Sequence, residues 1–152
     1  EKQGRAVYEP LFTEIVGLHA GGKTIQEAQP GGLVGVGTLL DPSLTKADGL
    51  TGNLVGKPGM LPPTRTELTM GTHLFPRAVG TKELMKVEDV RAGEALLLDV
   101  GTSITAGSVV SVRGESATLK LSRPISADEG ARVAISRKIA GRWRLIGYGI
   151  IE

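Results

Sequence analysis

The chain has 152 residues, of which 22 are Gly and 8 are Pro, while 40% are hydrophobic and only 3% are aromatic. This composition excludes a disordered chain, because such chains have few hydrophobic residues, and a helical bundle, because each interior Gly would cost a helix about 1 kcal/mol. The absence of Cys excludes disulfides and thiolate metal sites, and the net charge of +2 comes from an excess of basic residues after residue 68.

Short apolar runs alternate with turn-forming residues along the chain, which is typical of β-barrels and β-sandwiches. No segment keeps a helical period for three turns. Gly114 and the pair Ala140-Gly141 predict tight hairpin turns between neighbouring runs. The predicted strands are Ala6–Tyr8, Phe12–Leu18, Leu33–Leu39, Gly52–Gly56, Glu67–Phe75, Glu94–Val100, Gly107–Arg113, Ser116–Ser122, Arg132–Arg137 and Arg142–Ile151.

A Gly- and Pro-rich stretch divides the chain at residues 56–63. Pro62 and Pro63 are adjacent there, and proline cannot donate to a sheet ladder and stiffens the backbone. We therefore expect one β domain at residues 1–63 and a second at residues 64–152.

A phosphate-loop pattern, G-x-x-x-x-G-K-[ST], occurs at Gly17–Thr24. It would make the chain a small nucleotide hydrolase if a helix began at Lys23 and faced the phosphates. Only residues 24–29 separate this Lys from the helix-breaking Pro30-Gly31-Gly32, and no alternation of strands and helices follows. We therefore interpret the match as coincidental, with the hydrolase kept as an alternative.

Other catalytic and metal-binding patterns are absent from the sequence. His19 and His73 are the only histidines, and neither has a ligand-forming residue at suitable spacing. No apolar stretch reaches the roughly 18 residues that a membrane span needs. We predict no catalytic residue, no metal ligand and no membrane partner for this chain.

Glycine is concentrated in the segment Pro30–Thr38. Gly inside a strand marks either a place where a ligand or another backbone approaches closely, or a bulged or bent strand. The residues alone favour the second interpretation and leave the first open.

A basic run without any acidic residue lies near the C-terminal end. Such a run can contact phosphate groups, or it can simply keep a strand face solvated. The candidate phosphate contacts are Arg137, Lys138, Arg142 and Arg144.

Three long segments resemble the gamma subunits of archaeal and eukaryotic translation initiation factor 2, and the archaeal form more closely. They are Gln29–Asp48, Val55–Pro63 and the final run from Ile135 to Gly147. The resemblance spans essentially the whole chain. It implies an all-β fold with two β-barrel domains of the translational-GTPase type: domain two, incomplete at its N-terminal side, at residues 1–63, and domain three at residues 64–152. It also implies that the nucleotide-binding domain is missing.

The resemblance also implies a function in the cytoplasm. The family delivers methionyl initiator tRNA to the small ribosomal subunit together with alpha and beta subunits. Its GTP and Mg²⁺ belong to the nucleotide-binding domain, so we expect no cofactor and no GTP hydrolysis from this chain alone. A β module that binds only protein is a further alternative.

The segment that starts at Lys23 is also similar to domain two of bacterial elongation factor Tu. There, a glutamate at the position of Glu27 packs against the terminal adenosine of aminoacyl-tRNA. This similarity implies a tRNA 3′-end site, and an exposed turn carboxylate is the alternative for Glu27. The expected site residues are Glu27, Gly31, Gly32, Leu33, Val34 and Gly35.

Overall fold

The structure is a computed structural model that describes residues 8–80 and 85–152. The chain forms two compact units, residues 1–51 and 52–152. Apart from Tyr8, which is not in a strand, the predicted strand Ala6–Tyr8 lies outside the described residues. The predicted domain boundary after residue 63 stays a prediction.

The first unit is built around a small antiparallel sheet. Its strands are β1 (Ile15–Ala20), β2 (Lys23–Ile25) and β3 (Val34–Thr38), in the order β2-β1-β3. A single-turn helix, α1 (Pro42–Thr45), follows β3. The carboxylate of Asp41 caps α1 by accepting a hydrogen bond from the Ser43 amide at 2.8 Å, and this bond lowers the pKa of Asp41 below its usual value.

The phosphate-loop pattern is a β-hairpin in the structure. Ala20 pairs with Lys23, so Gly21 and Gly22 form a two-residue turn, with φ angles of 56° and 75°. Positive φ at both central residues is what a type I′ hairpin turn requires and what glycine supplies without strain. Lys23 therefore begins a strand and not a helix, so the geometry that cradles a phosphate is missing here.

The second unit is a closed six-stranded barrel in which all neighbouring strands are antiparallel. The strand order around the barrel is β4-β7-β6-β5-β8-β9, and β9 pairs with β4 to close it. The strands are β4 (Thr64–Leu74), β5 (Ala95–Val100), β6 (Ser103–Arg113), β7 (Ser116–Ser126), β8 (Arg132–Ile139) and β9 (Arg142–Ile151).

Aliphatic side chains fill the barrel, because alternate residues of each strand face inward. Leu96, Leu98 and Val100 show this alternation on β5. The largest fully buried side chains among the described residues are Leu68, Met70, Leu96, Leu98, Leu119, Ile135, Ile146, Ile151 and Val133. This core accounts for the paucity of aromatic residues, since small aliphatic side chains suffice to fill a six-stranded barrel.

Two predicted turns are confirmed. Arg113 pairs with Ser116 around Gly114, and Ile139 pairs with Arg142 around Ala140-Gly141. Ala140 and Gly141 have φ angles of 48° and 80°, as in a type I′ turn.

The predicted strand Gly52–Gly56 is wrong. Gly52 adopts φ 85°, outside the extended region, and its carbonyl accepts a hydrogen bond from the Ser103 hydroxyl and not from a neighbouring strand. The short strand β2 was not predicted, because three residues are too few to show a period.

The prediction of an all-β fold is confirmed for the described residues, with one closed barrel and a separate three-stranded sheet. Within residues 8–80 and 85–152, no helix has the length and apolar character needed to cross a lipid bilayer.

Candidate nucleic-acid interface

The loop between β2 and β3 carries the first predicted site residues. Glu27 is exposed in this irregular segment, and none of the ion pairs within the described part of the chain includes it. Gly31 and Gly32 adopt φ angles of 122° and 70°, which disfavour any other residue. Leu33 follows with its side chain 91% exposed. The loop therefore presents a carboxylate and an apolar side chain to the surroundings.

Strand β3 presents glycines on one face of the small sheet. Gly37 pairs with Gly17 of β1, and Gly35 pairs with His19. Cross-strand partners share a face, so three glycines form a patch of bare backbone beside one imidazole. The His19 ring lies 3.4 Å (Nδ1) from the hydroxyl oxygen of Thr24 on β2.

The fold of this unit does not itself require glycine at two of these positions. A Cβ added at Gly35 would come no closer than 3.6 Å to a neighbouring atom, and one at Gly37 no closer than 3.5 Å, which are ordinary van der Waals distances. Neither residue has a positive φ, and the register irregularity of this strand pair lies between Ile15 and Gly17 on β1. This irregularity separates the Ile15–Thr38 and Gly17–Gly37 pairs and so lies next to Gly37, which means that a bent strand leaves only Gly35 unexplained.

The opposite face of the sheet is apolar. Leu18 pairs with both Ile25 and Val36, and Ala20 pairs with Val34 on the same side. The predicted site residues thus divide between a loop, a bare face and an apolar face. Val34 lies on the apolar side, away from Gly35.

Arg137, predicted to contact phosphate, is held by the protein in this structure. Its guanidinium forms an ion pair with both carboxylate oxygens of Glu94, and it donates to the carbonyls of Glu88 at 2.8 Å and Asp89 at 3.2 Å. The side chains of Arg137 and Glu94 are only 17% and 21% exposed. The phosphate contact of Arg137 stays a prediction, but these bonds occupy four of its five N–H donors.

The other three predicted phosphate contacts lie where β8 and β9 meet. Lys138 and Arg142 are exposed, and Arg144 is half-buried. None of them takes part in an ion pair within residues 8–80 and 85–152. The structure thus separates the basic run into one structural arginine and three cations that have no ion-pair partner among the described residues.

Sequence reasoning missed two features of these sites. The place of His19 beside the glycines follows from a β1–β3 register that a single sequence does not specify. The pairing of Arg137 with Glu94 spans 43 residues, so no local pattern predicts it. The alternation Gly17-x-His19 and Gly35-x-Gly37 was the available signal for the shared face.

Comparison with known proteins identifies the family of the barrel. Residues 66–151, which span β4 to β9 almost completely, match the family model described as "Initiation factor eIF2 gamma, C terminal".

Whole-chain relatives agree with this match. The chain is 54% identical over 152 residues to the translation initiation factor 2 subunit gamma of Methanothermobacter thermautotrophicus. It is 57% identical to the same subunit of Thermococcus onnurineus and 55% identical to that of Pyrococcus furiosus. In each case the alignment covers 100% of this chain and 37% of the relative, so the chain spans a little over a third of the length of these relatives. The β4–β9 barrel of this chain corresponds to the C-terminal region of the family, and the chain belongs to the family of the initiation factor eIF2 gamma subunit.

Proposed function

We propose that this chain acts in translation initiation as the β region of a gamma subunit of initiation factor 2. In this role it helps to bind methionyl initiator tRNA and the alpha and beta subunits, for delivery to the small ribosomal subunit in the cytoplasm. The family match and the names of the relatives support the role in initiation.

We propose that the first unit is part of a second barrel, the one that the resemblance implies. In its described residues, Tyr8 to Thr51, no side chain is fully buried. Phe12, Val16 and Leu39 are at least 60% exposed. A β-sheet is stabilised by covering an apolar face, so the apolar face of β1–β3 fits a sheet that is completed by further strands.

We propose that the tRNA 3′ end binds at the β2–β3 loop and along β3. The bare face around Gly35 carries this proposal, because the fold of the unit itself does not require glycine there. A backbone without side chains allows a ribose or base to approach closely. Glu27 lies on the loop that precedes this face, where its carboxylate can accept hydrogen bonds from the terminal adenosine.

The chemistry of GTP and Mg²⁺ is assigned to other parts of the family protein. The residues that match a phosphate loop form the β1–β2 hairpin, so they do not fit a nucleotide phosphate. We therefore propose no GTP hydrolysis by these residues. Titration of this chain alone with a fluorescent GTP analogue checks this, and we expect no Mg²⁺-dependent binding. Micromolar binding that is lost in Lys23→Ala would support the hydrolase alternative.

The proposed 3′-end site is tested by initiator-tRNA affinity in a full-length gamma subunit carrying this sequence, assembled with alpha and beta. Glu27→Ala is expected to weaken the binding roughly tenfold, as expected for a lost hydrogen bond to a charged group. Glu9→Ala removes another exposed carboxylate of the same unit and serves as the control. If Glu27→Ala leaves the affinity unchanged within twofold, the role of Glu27 is wrong.

A second variant tests the bare face. Gly35→Ala adds one methyl group where the nearest atom lies 3.6 Å away, so the thermal unfolding midpoint should stay the same. The same methyl group projects from the proposed docking face, so the affinity for initiator tRNA should fall. Equal affinity with equal stability would place the tRNA end elsewhere.

The protein-binding alternative makes a different prediction about salt. Contacts to phosphates release counterions, so tRNA affinity should fall steeply as the salt concentration rises. A β module that binds only protein would show no salt-dependent affinity for tRNA.

A further inference from the structure

The β8–β9 hairpin ends in a two-stranded ribbon. The ladder between β8 and β5 ends at the Arg137–Leu96 pair, and the ladder between β9 and β4 ends at the Gly147–Leu74 pair. From Lys138 to Trp143, the two strands pair only with each other in the described part of the chain. We call residues 138–143 the ribbon. Unlike the strands of the closed barrel, the ribbon has no further strand paired along its edges among the described residues.

The ribbon carries the only tryptophan of the chain. Trp143 pairs across the strands with Lys138, so the indole and the ammonium group share one face. The Trp143 side chain is 41% exposed, although tryptophan is among the most heavily buried residues on average. An exposed aromatic plane next to a cation is the combination that proteins use to stack an unpaired base and hold its phosphate.

The charge of the ribbon has one sign. From Arg132 to Ile151 the sequence contains no acidic residue. Lys138, Arg142 and Arg144 form no ion pair within residues 8–80 and 85–152, whereas Arg137 is neutralised by Glu94. A polyanion is therefore the complementary partner, and the aromatic plane favours one with exposed rings.

We propose that the ribbon binds an unpaired segment of RNA. One base stacks on the Trp143 indole, and Lys138 and Arg142 neutralise the adjacent phosphates, with Arg144 at the base of the ribbon. A two-stranded ribbon is thin, so cations on both of its faces reach a strand that lies along it. This site belongs to the barrel unit and does not depend on the proposed 3′-end site of the first unit.

The fluorescence of Trp143 reports directly on this contact, because the chain has no other tryptophan. The whole chain is titrated with an unpaired adenosine dodecamer RNA, and stacking is expected to quench the emission. Each phosphate neutralised on a single strand contributes about −0.7 to the slope of log affinity against log salt, so three contacts predict a slope near −2. A matched 12-base-pair RNA duplex, whose bases are already stacked, should not quench.

Variants separate stacking from charge, with affinity measured by anisotropy of a labelled dodecamer. Trp143→Ala should weaken binding between fivefold and a hundredfold, as for other base–aromatic stacks, and Trp143→Phe should restore part of it. Lys138→Ala should reduce the salt slope by about 0.7. Arg113→Ala removes an exposed cation at the tip of the β6–β7 hairpin and should change the affinity less than twofold.

Several results would overturn the proposal. Equal binding of the duplex would show that the site reads phosphate without stacking. Quenching by an acidic peptide but not by the dodecamer would assign the ribbon to a protein partner. Full affinity in a Trp143→Ala variant that keeps the wild-type circular dichroism spectrum would exclude the indole.

Discussion

Single residues in the barrel have roles that their chemical type does not reveal. Arg137 and Lys138 are neighbours in one basic run, yet the first is bonded to Glu94 and two backbone carbonyls while the second is exposed. Arginine suits the first role because its planar fork pairs with a carboxylate through two parallel hydrogen bonds. The partners come from the segment before β5, so Arg137 links that segment to β8.

The Arg137 ion pair should contribute measurably to stability. Arg137→Ala removes the donors that Arg137 gives to Glu94 and to two carbonyls in a largely covered site, and it leaves the Glu94 carboxylate only the Arg91 amide at 3.3 Å. The free energy of unfolding should therefore fall by about 2–3 kcal/mol. Chemical denaturation measures the change. Arg113→Ala, at an exposed position, should stay within about 0.5 kcal/mol of wild type, and an equally small effect for Arg137→Ala would contradict the structural role.

Thr105 is a polar residue in the interior of the barrel, with 2% of its surface exposed. Its hydroxyl donates to the Arg123 carbonyl at 2.8 Å and accepts from the Arg123 amide at 3.2 Å. Thr105→Val keeps the shape but leaves both backbone groups without a partner, so we expect a loss of about 1–3 kcal/mol in denaturant unfolding. Ser108→Ala, on the exposed side of the same strand, is the control and should unfold like the wild type. If Thr105→Val is also as stable as the wild type, the two hydrogen bonds of the Thr105 hydroxyl do not stabilise the barrel.

At the scale of elements, the sequence predicts strands well where the burial pattern alternates cleanly. The predicted bounds of β9 equal the observed ones, and those of β5 differ from the observed ones by one residue. Strand β6 begins at Ser103 and not at the predicted Gly107. The inward-facing residue near its start is Thr105, and a polar residue breaks the apolar alternation from which the strand was predicted. Strand β7 continues past Pro124 to Ser126. It does so because its register with β4 shifts between Lys120 and Ile125, where the ladder needs no amide from proline.

Strand β9 approaches β4 too closely for any side chain at one position. A Cβ at Gly147 would contact the His73 carbonyl and lie 2.9 Å from the Leu74 Cα, and backbone atoms cannot move aside as side chains do. Gly147→Ala should therefore destabilise the barrel by about 1–3 kcal/mol. Gly35→Ala is the matched comparison and should be nearly neutral. Equal thermal midpoints for the two variants would contradict this difference.

At the scale of the whole molecule, the two units differ in their cores. The unit of residues 52–152 holds all the fully buried side chains of the described residues, and the sheet of the first unit holds none. The free energy needed to open a backbone hydrogen bond locally is larger where buried apolar side chains pack around it. The composition predicts an aliphatic β core, but which half would contain it depends on strand pairings between distant residues.

Amide hydrogen exchange should therefore be uneven along the chain. The amides that form the ladders of β4–β9 should exchange only after an opening whose free energy is close to that of global unfolding. The amides of β1–β3 should exchange at least a hundredfold faster, because no buried core supports their bonds. Exchange of the whole chain followed by mass spectrometry gives both values. Similar protection in the two units would show that the small sheet has support that its burial does not indicate.

The candidate site was only partly predictable. The glycine cluster and Glu27 can be proposed from sequence and resemblance, since both are local features of one segment, and their role stays a prediction. The face on which Gly17, Gly35 and His19 meet was not, because it depends on the register of β1 and β3. The separation of Arg137 from the exposed cations depends in the same way on a distant carboxylate.

Photocrosslinking from Leu33 tests the central claim, that the loop and β3 hold the tRNA 3′ end. A photoreactive residue replaces Leu33, which is 91% exposed, in a full-length gamma subunit carrying this sequence and assembled with methionyl initiator tRNA. Val55, 90% exposed in the other unit, takes the same replacement as the control. We predict a crosslink from position 33 to the 3′-terminal adenosine and none from position 55. A crosslink from position 33 to another part of the tRNA, or none while tRNA stays bound, would contradict the account.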